Sequence, residues 1–83
     1  MQKRSWPAIV IDILEAALIP KNKLRIMYKS NLNFERFNRY FSDLLSKNFV
    51  AEMYNGEEKR VFKTTERGKA LLKTLRDAME LVS

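Results

Sequence analysis

Three polar side chains in one short run of this sequence have hydrogen-bonding patterns that match the edges of purine bases. Arg36 and Arg39 each carry a planar fork of N–H donors that fits O6 and N7 of guanine, and the Asn38 amide fits N6 and N7 of adenine. Asn33 stands at the head of the run. Lys21, Lys23, Lys29, Lys59 and Arg60 flank it in sequence and carry charges suited to phosphate. The competing reading of these residues is an ordinary solvated helix face.

Other chemistries find little support. The chain has no His and no Cys, which removes the usual zinc ligands and the Ser–His and Cys–His nucleophile pairs. Its two glycines, Gly56 and Gly68, form no phosphate-cradling loop. Asp12 and Glu15 stand three apart, as a carboxylate pair on one helix would. Two solvated charges that keep an apolar helix soluble explain them better. The expectation is a protein that is not an enzyme and has no cofactor, no metal and no evident small-molecule ligand.

The positive charge is clustered. Residues 21–39 hold Lys21, Lys23, Arg25, Lys29, Arg36 and Arg39 against Glu35 alone, while residues 40–58 are acidic on balance. The segment from Lys59 onward is basic again, and the whole chain carries +6. A clustered basic surface attracts polyanions far more than a scattered one. No apolar run reaches the roughly 20 residues of a membrane-spanning helix, so neither a membrane partner nor a secretory leader is expected.

The elements that must position these residues follow from capping and periodicity. With 83 residues, 46% of them hydrophobic, the chain fits one folded domain, residues 1–83. Ser5 caps a first helix over residues 6–18, which Pro20 ends. A short second helix covers residues 22–29, with Leu24, Met27 and Tyr28 as its inward stripe and Asn31 as its left-handed terminator. Asn33 caps a third helix over residues 33–47. Its inward stripe is Phe34, Phe37, Phe41, Leu44 and Leu45, and Glu35, Arg36, Asn38, Arg39, Ser42, Asp43 and Ser46 face out. Leu32 and Phe37 have the spacing of a hydrophobic staple.

From Phe49 the pattern changes. Asn55-Gly56 predicts a hairpin with a two-residue turn, pairing Tyr54 with Glu57 and Glu52 with Lys59. Glu57 and Glu58 at its tip argue against strong insertion into DNA, because they repel phosphate. Thr65 then caps a long last helix, residues 65–83. Leu72, Leu75, Met79 and Val82 have the 3-4-3 spacing of a coiled-coil seam, which predicts a homodimer through this helix.

The fold class is therefore mainly α with a small β-hairpin, in the order α-α-α-β-β-α. That is the order of a winged helix-turn-helix, in which the third helix enters the major groove of double-stranded DNA. The chain also resembles a family of small archaeal winged-helix proteins. The resemblance lies in residues 3–17, 25–33, 40–50 and 62–68. It implies a homodimeric DNA-binding protein joined through its C-terminal helix, located in the cytoplasm on the chromosome. The resemblance has departures. Residues 20–24 read Pro-Lys-Asn-Lys-Leu where the family often has Gly-x-x-Lys-Thr. Asn48 stands where glycine is usual. Thr64 stands where an aliphatic residue is common, which predicts a less buried strand end. Sequence-specific binding by a transcription regulator is the leading expectation. The alternatives are a winged-helix protein-interaction or assembly module, and a nonspecific chromosome-architecture protein.

Overall fold

The computed structural model describes residues 4–57 and 59–82. The basic start at residues 1–3, Glu58 at the hairpin tip and the terminal Ser83 lie outside the described residues. The elements are α1 (Trp6–Ala16), α2 (Lys23–Ser30), α3 (Phe34–Ser46), β1 (Val50–Tyr54), β2 (Arg60–Thr64) and α4 (Glu66–Val82). Their order is the α-α-α-β-β-α expected. Among the described residues no helix is long and apolar enough to cross a membrane.

Side-chain caps start all four helices. Ser5 Oγ accepts from Ala8 N at 3.5 Å, Asn22 Oδ1 from Arg25 N at 2.9 Å, Asn33 Oδ1 from Arg36 N at 2.9 Å and Thr65 Oγ1 from Gly68 N at 2.9 Å. Each such cap contributes about 1 kcal/mol. Asn31 and Asn48 end α2 and the turn after α3 in the left-handed region, at φ 57° and 62°. Asparagine tolerates that conformation because its short amide bonds locally. Asn22 thus caps α2 although the family's usual threonine is absent.

The core is built on α1 and α3. Ile9, Ile13, Leu14, Phe37 and Phe41 are fully buried. The Phe37 and Phe41 rings stack at 4.8 Å between centroids, and Phe62 meets Phe41 edge-on at 5.1 Å. From α4, Leu72 and Leu75 close the core against α1. At its edge Arg76 is ion-paired with Glu15. Asp12, the other carboxylate of that helix, is ion-paired with Arg4. Both acids thus tie α1 to its neighbours.

The second-helix stripe is corrected. α2 packs on α1 through Ile26, Met27 and Ser30, and Leu24 and Tyr28 stay exposed. A polar residue reaches the core there because the Ser30 hydroxyl donates to Ile26 O at 2.7 Å. Phe34 is corrected too: it lies 65% exposed at the first turn of α3.

The hairpin register differs from the sequence reading by three residues. Tyr54 pairs with Arg60, Glu52 with Phe62 and Val50 with Thr64. Gly56 does not adopt positive φ. Instead Asn55 Oδ1 accepts from Glu57 N and Lys59 N, and Asn55 N donates to Lys59 O at 3.1 Å. Tertiary bonds hold the register. Phe62 exchanges backbone hydrogen bonds with Lys21, and Thr64 N donates to Ala17 O at 2.8 Å. Thr64 is buried, against expectation, because its hydroxyl donates to Leu14 O at 2.7 Å.

α4 starts against this sheet. A Cβ on Gly68 would stand 2.1 Å from Phe49 O, so only glycine lets the helix approach so closely. At 1.5 Å per residue α4 runs about 26 Å. Its last turn projects from the core, with Leu81 and Val82 more than 80% exposed.

Candidate nucleic-acid interface

The outward face of α3 meets solvent beside α2. Phe37, Phe41 and Leu44 anchor the helix in the core, which turns Glu35, Arg39, Ser42 and Ser46 outward. Arg36 and Asn38 flank that face on opposite sides, and both are half-buried. Arg39 is exposed and has no ion pair among the described residues.

The two flanking residues are less free than the sequence implied. Arg36 leans toward the start of α1, where its Nη2 donates to Arg4 O at 3.4 Å. Asn38 Oδ1 is buried with no hydrogen-bond partner. An unpaired buried carbonyl costs about 1–3 kcal/mol. That cost favours a rotation of the amide toward any donor offered outside the helix. Asn33 spends its side-chain oxygen on capping, so only its amide nitrogen faces outward for another contact.

The lysines divide in the same way. Lys21 is drawn into the fold: its ammonium donates to Ala16 O, and to Ile19 O at 2.9 Å, at the end of α1. Partial burial lowers its pKa first, and the charges of Lys29 and Arg25 lower it further. Those three cations and Tyr28 line one shallow depression on α2. Lys23, at the start of α2, lies over the Phe41 ring at 5.7 Å and opens to solvent. Lys23, Arg25 and Lys29 have no ion pair among the described residues. Arg25 is the contributor that the sequence reading left out of its site, although its charge was counted.

Two cations of the hairpin are already paired with acids. Arg60 donates from Nε to Glu52 Oε1 at 2.7 Å and from Nη2 to Oε2 at 3.2 Å. That bond raises the guanidinium pKa above its ordinary value. Lys59 stands 3.6 Å from Glu57. The expected Glu52–Lys59 pair is absent because the register moved. Both cations therefore reach the rim already matched by an acid, although Arg60 shares a surface depression with Lys23.

The proposed dimer seam splits. Leu72 and Leu75 are 3% and 8% exposed and belong to the chain's own core, so they are not open to a partner. Met79 is half-buried and Val82 is open, next to exposed Leu81.

The pattern of the winged helix-turn-helix family matches residues 3–83. The uncharacterized protein MJ0287 of Methanocaldococcus jannaschii is 32% identical over 82 residues, covering 98% of this chain and 79% of that protein. Sso10a-2, a DNA-binding protein from Sulfolobus solfataricus, has a crystal structure that matches at a TM-score of 0.81. It is 19% identical over 94% of this chain and 81% of its own, which shows a shared fold. On the match across nearly the whole length and the identity to the M. jannaschii protein, this chain belongs to the winged helix-turn-helix family.

Proposed function

We propose that the protein binds double-stranded DNA sequence-specifically as a homodimer and acts in transcription regulation, with α3 in the major groove. The observation that carries this reading is a set of open, unpaired cations on α2 and α3. Lys23, Arg25 and Lys29 on α2 and Arg39 on α3 point to solvent without acidic partners among the described residues. A duplex supplies the phosphates those cations lack. The DNA-binding name of a protein with the same fold agrees with this reading.

Within the interface Arg39 is the principal base-edge donor, and Asn38 joins it by rotating its unpaired carbonyl outward. Arg36 positions the helix from its flank. Lys21 and Asn33 act by holding the ends of α1 and α3. Lys59 and Arg60 contribute little, because Glu57 and Glu52 already neutralise them. A nonspecific architectural protein needs only uniform positive charge. Glu35 in the middle of the open face favours the specific reading over that one. Dimerisation uses the projecting end of α4, through Met79, Leu81 and Val82. The protein's place is then on the chromosome, and no catalytic step is assigned to it.

Selection from a pool of random duplexes tests the reading. Recovery of one short, two-fold repeated motif supports it. Recovery of no duplex at about 50 mM salt overturns it, and equal recovery of all sequences assigns the architectural role instead.

A further inference from the structure

The first two turns of α3 present two residues that the purine-reading arginines do not account for. Phe34 is 65% exposed at the helix start, although it carries one of the largest apolar side chains in the chain. It rims a shallow depression with Lys23 and Leu24, over Met27 and Phe37. Glu35, the next residue, is exposed on the side that also carries Arg39. Glu35 and Arg39 stand one turn apart and form no ion pair among the described residues. Comparable pairs elsewhere do close, as Lys47 with Asp43 at 3.5 Å and Lys73 with Asp77 at 3.1 Å. Phe34 lies in line with half-buried Asn38 and exposed Glu35 in line with exposed Arg39, on adjacent strips about 100° apart around α3.

A carboxylate on the exposed strip is costly against DNA unless it finds a donor. Phosphates repel it, and guanine N7 and O6 and thymine O4 offer only acceptors. The major-groove amino donors are adenine N6 and cytosine N4, and cytosine suits a lone carboxylate better because adenine carries the N7 acceptor beside its amino group. The apolar ring beside it has one matching group there, the C5 methyl of thymine. An apolar protein segment is the competing occupant. Lys23, which rims the same depression as Phe34, favours the polyanion.

We propose that Phe34 and Glu35 determine specificity for a neighbouring thymine and cytosine, Phe34 packing on the thymine methyl and Glu35 accepting from cytosine N4. The proposal rests on the reading of α3 as the major-groove helix. It adds a pyrimidine requirement to the guanine contact of Arg39.

Random-duplex selection with the wild-type chain, Glu35→Gln and Phe34→Ala tests it, with thermal unfolding confirming that each variant folds. The wild type is expected to select adjacent thymine and cytosine. Glu35→Gln is expected to move the preference at one position from cytosine to adenine, whose N6 and N7 suit an amide, with a change of about 5- to 100-fold. Replacing the selected thymine by uracil removes only the methyl. It is expected to weaken wild-type binding about 4-fold and Phe34→Ala binding hardly at all. If the wild type selects a motif that both variants select unchanged, the proposal is overturned while DNA binding stands. An equal uracil penalty in the wild type and Phe34→Ala also overturns it. If the wild type binds no duplex, the underlying reading falls and this proposal falls with it.

Discussion

Arg39 and Lys29 look alike in charge but should behave differently under substitution. Arg39 stands on the open side of α3 and Lys29 on the last turn of α2. Arg39→Ala is expected to relax preference at one base position by about 1–3 kcal/mol. Lys29→Ala should weaken all sequences about equally and make the log–log salt slope about one unit shallower. Competition binding with matched and scrambled duplexes separates the two effects. Gly68 makes a residue-scale prediction about stability. Gly68→Ala would put a Cβ against the Phe49 carbonyl and should cost more than about 2 kcal/mol, read by denaturant unfolding. Arg36 shows why residue types alone overstate a site. Its guanidinium chemistry is visible in the sequence, but its lean toward Arg4 O depends on how α1 meets α3.

At the scale of elements, the hairpin makes the sharpest prediction, because its cations are already paired. Replacing Arg60 and Glu52 together by Ala should change duplex affinity less than about two-fold, since the exposed pair is neutral overall and adds little. Glu52→Ala should tighten binding and steepen its salt dependence by releasing Arg60 toward phosphate. Titrations at two salt concentrations check both. The helix boundaries were legible in the sequence because capping is local: Ser5, Asn22, Asn33 and Thr65 each bond within three residues. The hairpin register was not. Asn55-Gly56 has the local signature of a tight turn, but the bonds from β2 to Lys21, Ala17 and Leu14 decide the pairing, and they span 41 residues or more. The exposed positions of Leu24, Tyr28 and Phe34 were hidden for the same reason. Periodicity marks an apolar face but not how far the helix is rotated against its neighbour.

At the scale of the whole molecule, α4 serves two purposes along its length. Its first three turns complete the core through Leu72 and Leu75, and its end projects. A 3-4-3 repeat cannot distinguish these uses, which is why the sequence assigned all four residues to one seam. The two halves should respond differently. Leu75→Asp should unfold the protein, because it buries a charge that no partner neutralises. The double change Leu81→Asp and Val82→Asp should leave the fold intact and convert a dimer to a monomer at tens of micromolar. Light scattering together with circular dichroism distinguishes the two. The monomer should also bind DNA weakly, since paired half-sites act together.

The open cations of α2 and α3 are the feature on which this account depends, and the salt dependence of duplex affinity measures their engagement directly. With the open α2 cations Lys23, Arg25 and Lys29 of each protomer engaged on phosphate, log K should fall against log salt with a slope near −3 per protomer, at about 0.9 per phosphate. A slope close to zero, or no binding to any duplex at low salt, would contradict the account.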